Sequence, residues 1–191
     1  MHRLQIGWLR WQGRLALMVG HRMGALRAFE AICALVPDDA HALASRAQLE
    51  DQRGHAEEAL ALQRALVQQT PQAAAAWFNL GFMLEKAGQL EEALAAFSEA
   101  TRLSPKLDRA WYGLGLVLIR LRRFDEAVDA LRRNTELQPM SPYGWYQLAR
   151  VHVDRQEPQE AAKIIRHLRG FEPKVAAQLE RETGLSTAQS A

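Results

Sequence analysis

Between Ala74 and Leu107 the apolar residues fall at helical spacing. Trp77, Leu80, Gly81 and Leu84 lie three or four apart and therefore share one face of a helix. Ala93, Phe97 and Ala100 repeat that spacing further on and predict a second helix. Gly88 marks the turn between the two, and Pro105 closes the stretch. The result is a helical hairpin whose apolar face is too large to leave in water, so it needs neighbours.

The chain supplies them. Pro37, Pro71, Pro105, Pro139 and Pro173 are spaced by 34 residues each time. Aligning on these prolines gives five repeats: 6–39, 40–73, 74–107, 108–141 and 142–175. The other columns agree with this register. Leu9, Leu43, Trp111 and Trp145 stand where the third repeat has Trp77, and Leu114 and Leu148 match Leu80. Gly13, Ala47, Gly115 and Ala149 match Gly81, and alanine recurs at Ala25, Ala59, Ala93, Ala127 and Ala161. Phe29, Gln63, Leu131 and Ile165 take the place of Phe97. The turn glycine recurs as Gly20, Gly54 and Gly88, then gives way to Arg122 and Gln156.

Each column has a physical reason. Small residues at Gly81 and Ala93 are expected to let the two helix backbones approach, with the Trp and Phe columns filling the space between hairpins. Gly88 can adopt the positive φ that ends a helix at little cost. Glu57–Glu58, Glu91–Glu92, Asp125–Glu126 and Gln159–Glu160 fall in the first turn of the second helices, where acidic groups oppose the positive end of the helix dipole. Ser141 before Pro142 reads as an N-cap followed by proline at the first helical position.

The period of 34 with W-x2-L-G-x2-L…A-x3-F…P resembles the tetratricopeptide repeat (TPR) over Ile6–Val175, almost the whole chain of 191 residues. The resemblance implies an all-α, helical-hairpin solenoid with a right-handed superhelical curve, in one domain covering 1–191. The second repeat departs from the pattern with Arg46, Glu50 and Gln63 where apolar residues are expected. The first departs at Gln12 and Gly24, as an end repeat exposed on one side can. A capping helix is expected over about 174–184, ended by Gly184, and a frayed tail over 185–191.

Composition narrows the function. A hydrophobic fraction of 48% and a charged fraction of 24% are those of an ordinary soluble globular protein. A net charge of +2 is too small to suggest a nucleic-acid binder. One cysteine, Cys33, excludes an internal disulfide framework and multi-cysteine zinc patterns; it is expected to be a buried small hydrophobe. Near the N-terminus, Arg10 and Arg14 interrupt any hydrophobic run and no A-x-A-like cleavage site follows, so neither a signal peptide nor a membrane span is expected. Cytoplasmic residence is the default.

No catalytic pattern emerges. The six histidines show no metal-ligand spacing, and no phosphate-binding glycine loop or nucleophile elbow is present. Carboxylate pairs such as Glu91–Glu92 are adjacent on a helix and diverge. His152 occupies a packing column held elsewhere by Leu84 and Leu118, which suits a structural histidine. A non-enzyme without cofactor or metal is expected.

In TPR proteins the first helices line a concave groove. If this chain stacks likewise, the groove is lined by residues interleaved with the packing columns: Gly7, Arg10, Arg14 and Leu17 in the first repeat, His41, Ala44, Gln48 and Asp51 in the second, and Phe78, Asn79, Phe82 and Glu85 in the third. The fourth offers Arg109, Tyr112, Leu116 and Ile119, and the fifth Tyr143, Tyr146, Gln147 and Arg150. The candidate partner site is an aromatic patch of Phe78, Phe82, Tyr112, Leu116, Tyr143 and Tyr146 with Asn79, rimmed by Arg109, Arg120 and Arg150. It would hold an apolar peptide or helix of a protein partner. Alternatively, these aromatics pack against neighbouring first helices, or the C-terminal helix lies over them. The carboxylate clamp of chaperone-binding TPR domains is not expected, because Ala44, Gln48 and Gly113 occupy its required columns.

Two other surfaces bear on partners. Arg120, Arg122, Arg123, Arg132 and Arg133 cluster in the fourth repeat, but Asp125, Glu126, Asp129 and Glu136 offset them, as on a solvated face. The first helix, with Leu4, Trp8, Trp11 and Leu15 beside Arg3, Arg10 and Arg14, has the make-up of a basic membrane-surface element. Its repeat columns favour an ordinary role as first-repeat helix or dimer contact. The expected function is non-catalytic protein recognition as adaptor, scaffold or assembly factor, alone or in a homo-oligomer or larger complex. The alternatives are a chaperone shielding a hydrophobic client, or a membrane-associated assembly factor.

Overall fold

A computed structural model describes residues 2–185 of the chain. Among these residues the regular structure is entirely helical: α1 (His2–Met18), α2 (Arg22–Leu35), α3 (Ala40–Gln52), α4 (Ala56–Gln69), α5 (Ala74–Lys86), α6 (Leu90–Leu103), α7 (Asp108–Arg120), α8 (Phe124–Leu137), α9 (Pro142–Asp154), α10 (Pro158–Arg169) and α11 (Pro173–Thr183). The helices form two compact units, Met1–Gly88 and Gln89–Ala191. In the first unit each helix from α1 to α5 packs on the next. In the second the same holds from α6 to α11, and α9 also touches α7 and α11. The predicted cap is α11, ended at Gly184 in the left-handed conformation (φ 70°). Of the tail predicted over 185–191, residues 186–191 lie outside the described residues.

The cores are the predicted columns. Ala25, Ala59, Ala93, Ala127 and Ala161 are all fully buried, and Leu80, Leu114 and Leu148 at the next column are buried with a small exposed edge. At two positions of the glycine column the contact is with a side chain of the second helix. A Cβ on Gly13 would come within 2.9 Å of the Phe29 ring, and one on Gly115 within 2.7 Å of the Leu131 side chain. At both places the missing side chain makes room for a bulky residue of the second helix. Where that residue is Gln63 or Ile165, alanine occupies the column. Cys33 is half-buried rather than fully buried. It packs on a core of Ala25, Leu26, Phe29, Ile32, Ala42 and Leu49.

Turn chemistry follows the repeat even where the sequence does not. Gly20 and Gly54 have φ of 75° and 84°, and Arg122 and Gln156 keep the same left-handed backbone at 59° and 62°. That conformation costs a residue with a Cβ about 1–2 kcal/mol. It persists because the turns close on the same bonds: His55 N–H to Glu50 O at 2.9 Å, Arg123 to Leu118 at 2.9 Å and Glu157 to His152 at 2.8 Å. Acidic residues open α4, α6, α8 and α10 as expected from the helix dipole.

Helix starts are less uniform. Ser141 has the extended backbone of an N-cap ahead of Pro142, but its side chain makes no capping hydrogen bond. Asp39 does cap: its carboxylate accepts the Ala42 N–H at 2.9 Å and a bond from Arg10 Nη2 at 2.5 Å, tying α1 to the start of α3. The half-buried tryptophans perform a further task. Trp77, Trp111 and Trp145 each donate the indole N–H to the carbonyl of the proline six residues earlier, at 2.9, 3.0 and 2.9 Å.

Candidate partner-binding surface

In the second unit, α7 and α9 carry alternate columns into the core and leave the interleaved side chains outward. Tyr112, Tyr143, Tyr146 and Gln147 line one cleft of about 340 Å³, with Pro142 from the start of α9 and Val175 and Gln178 from α11. Tyr143 is exposed and Tyr112, Leu116 and Tyr146 are half-buried. The Tyr146 hydroxyl donates to Glu182 Oε2 at 2.6 Å, and Gln178 Nε2 donates to Glu182 Oε1 at 2.8 Å. Arg150 reaches the same pair, 3.4 Å from the Tyr146 oxygen and 3.9 Å from Glu182. The Tyr146 hydroxyl, then Gln178 and the nearby Arg150 and Arg181 cations, hold the Glu182 carboxyl below the usual carboxylate range. The C-terminal helix thus builds one wall of the cleft. It lies beside the tyrosines and leaves Tyr143 uncovered. Arg109 and Arg120 are exposed on α7.

In the first unit, Asn79 and Phe82 of α5 line another cleft, of about 550 Å³, with His41, Ala44, Gln48 and Asp51 of α3. Phe82 is 51% exposed, high for a phenylalanine beside a packed core. Lys86 Nζ donates to Asp51 at 2.7 Å at one end. Phe78 is half-buried. The candidate residues therefore divide between units, with Phe78, Asn79 and Phe82 in the first and the other seven in the second. Ser45, Gln52, Gln63, Met83, Val175 and Gln178 also line these clefts but do not follow from the interleaving rule.

Two of the polar residues that break the pattern of the second repeat lie in the interior. Glu50 and Gln63 are fully buried. Gln63 Nε2 donates to the Ala76 carbonyl at 2.7 Å, and Glu50 accepts from Arg53 at 2.9 and 3.0 Å. His55 Nδ1 lies 2.7 Å from Glu50, and Arg46 meets Glu58 at 3.2 Å. Glu50, His55 and Glu58 stand close enough to share an ion, but Arg53 and Arg46 already hold the two carboxylates, so they form an ion-pair network. The fifth repeat uses the same pair with the partners exchanged: buried His152 sits 2.7 Å from Glu157, five residues on. The arginines of the fourth repeat are engaged locally, Arg123 with Glu126 at 2.6 Å, Arg133 with Glu136 at 2.7 Å, and Arg122 over the Phe124 ring at 5.6 Å.

Tandem two-helix repeats that bury one set of columns and present another outward define a helical-repeat recognition protein. The sequence profile described as "Tetratricopeptide repeat" matches residues 12–74, 60–108, 84–142 and 112–173, and the chain belongs to that family. Similar solved structures carry the same fold. MamA is 19% identical over 97% of this chain and 98% of its own, with a TM-score of 0.83. MamA from Desulfovibrio magneticus is 20% identical over 95% and 98%, with a TM-score of 0.79. YrrB, described as a TPR protein with an unusual peptide-binding site, is 18% identical over 88% of both chains, with a TM-score of 0.79. No curated protein sequence matches the chain. Members of this family are generally non-catalytic interaction modules. Among the described residues no helix is long and apolar enough to cross a membrane.

Proposed function

We propose that this protein is a non-catalytic, cytoplasmic adaptor, scaffold or assembly factor that holds an apolar peptide or helix of a protein partner on the outward faces of its first helices. The observation that carries this reading is the tyrosine-lined cleft of the second unit. Tyr112, Tyr143 and Tyr146 have no column to fill in the hairpin stack, and aromatic side chains offer large contact area at little rotamer cost. Glu182 and Arg150 at its edge provide polar groups that can fix the direction of a bound backbone. The exposed Phe82 offers a separate apolar anchor in the first unit. The unusual peptide-binding site ascribed to YrrB is consistent with a TPR array of this size taking a peptide.

The test begins with recovery of the partner from native lysate and its identification by mass spectrometry. Calorimetry then compares the wild type with Tyr112→Ala and with Phe82→Ala. Each substitution is expected to weaken binding by about 2 kcal/mol or more, near thirtyfold, while the melting curve stays in place. Wild-type affinity in both variants would refute the site.

A further inference from the structure

Helix α1 has two apolar faces. Ile6, Leu9, Gly13 and Ala16 turn inward, with Ile6, Leu9 and Ala16 packed on the core of the first hairpin. Leu4, Trp8, Trp11, Leu15 and Met18 follow one another at intervals of four, three, four and three residues, which places them in a single stripe. That stripe lies roughly opposite the inward face and is in water: Leu4 and Met18 are 85% and 84% exposed, Trp8 and Trp11 58% and 60%. Val19, just beyond α1, and Met23, in the first turn of α2, are also exposed. Neither tryptophan belongs to a repeat column.

The charge around the stripe has one sign. Residues 1–29 contain Arg3, Arg10, Arg14, Arg22 and Arg27 and no acidic residue. They carry +5 of a chain whose total is +2, which leaves −3 for the rest. Arg10 is held by Asp39, whereas Arg3 and Arg14 are exposed on one flank of the stripe. A second copy of α1 would set arginines against arginines across this stripe. A negatively charged surface with an apolar layer just beneath it matches both features at once. Tryptophans settle at the boundary between headgroups and acyl chains, and arginines beside them can reach up to lipid phosphates.

We propose that α1 docks the protein on an anionic membrane surface, lying in the interface with Trp8, Trp11 and Leu15 inserted and Arg3 and Arg14 against the headgroups. The helix lies on the membrane and does not cross it. The groove faces of the later repeats take no part in this contact, so the proposal stands apart from peptide binding.

Co-sedimentation of the full chain with phosphatidylcholine vesicles, with and without phosphatidylglycerol, tests it. Binding is expected only with the anionic lipid, weakening as salt is raised. Trp8→Ser/Trp11→Ser is expected to lower the partition coefficient at least tenfold, and Arg3→Gln/Arg14→Gln about twenty-fivefold, from roughly fivefold per arginine. All four residues are exposed, so circular dichroism should show wild-type helicity and melting for both variants. Equal binding to neutral vesicles, no binding to anionic vesicles at low salt, or unchanged binding by the tryptophan variant would each overturn the proposal. So would concentration-dependent self-association that the tryptophan substitutions abolish, in protein that ignores vesicles; the stripe would then belong to a second copy.

Discussion

The second and fourth hairpins reach the same geometry from different interiors. At the column that ends each first helix the fourth has Leu118, and the second has Glu50 sealed by Arg53 and His55. Facing the small-residue column, the fourth uses Leu131 against Gly115, and the second uses Gln63 bonded to a backbone carbonyl. The second hairpin starts on the carboxylate cap of Asp39, whereas Leu107 at the same place caps nothing. The second turns on Gly54 and the fourth on Arg122. A repeat thus specifies size and backbone path at each column. Polarity is negotiable wherever a partner is at hand, across the turn for Glu50 or on the next hairpin for Gln63.

The largest expected effects probe the two interiors. Leu118→Ala should destabilise by about 2–5 kcal/mol in urea titration, because the buried side chain leaves a cavity. Glu50→Leu should cost far less than Leu118→Ala, because the buried carboxylate goes while its partly exposed partners can turn to water. Arg53 and His55 have side chains 33% and 49% exposed. A loss of several kcal/mol in Glu50→Leu would mean that the ion-pair network specifies the hairpin.

The cap comes next. Asp39→Ala should cost about 1 kcal/mol by removing the N-cap of α3 and the tie to Arg10. Burial works against ionisation of Asp39, yet the Ala42 N–H and the Arg10 guanidinium outweigh it and hold the carboxyl below its ordinary value. A depressed folded-state pKa contributes stability above the unfolded value of about 3.9, and that contribution fades as pH falls through the lower folded value. Asp39→Asn keeps a capping oxygen, so its gap to wild type should be constant near neutrality and close on acidification. A gap that widens in acid would contradict this.

The turns should give the smallest change. Gln156→Gly should raise stability by about 0.5–1 kcal/mol, as relief of the left-handed strain exceeds the entropy that glycine adds to the unfolded chain. Arg122→Gly should gain less, because it also gives up the contact over Phe124. Paired thermal melts would show whether Gly54 already secures this advantage for the second hairpin.

The fold was almost wholly legible in the sequence because a 34-residue period tests itself: five prolines and five alanines in register leave little freedom. Position-specific chemistry was harder to read. Glu50, Gln63 and Arg46 break the apolar pattern; the register sets Glu50 in the packing column of Leu84 and Leu118, but it does not say which groups would compensate a carboxylate there. The available signal was the pairing of glutamate and histidine five residues apart, at 50 and 55 and again, exchanged, at 152 and 157. The clefts were half legible. Interleaving placed Tyr112, Tyr143, Tyr146, Asn79 and Phe82 outward, but α11 comes to lie beside Tyr146 through its packing on α9 and α10 and the bond from Tyr146 to Glu182, 36 residues away. Sequence spacing carries no trace of such a contact.

The indole-to-carbonyl bonds bear on how the array can flex. Trp77, Trp111 and Trp145 each span the joint where one second helix hands over to the next first helix, and each clamps onto the backbone itself. A carbonyl on the main chain cannot swing aside as a side chain can, so those three joints are latched like doors. At the Pro37 joint the column holds Leu43, which has no hydrogen to donate, and the link falls to Arg10 and Asp39. Salt and acid should loosen that link while the uncharged indole bonds stay in place. The joint behind the first hairpin, the one that carries the exposed tryptophans, is therefore held by a charge pair where the three later joints are held by indoles.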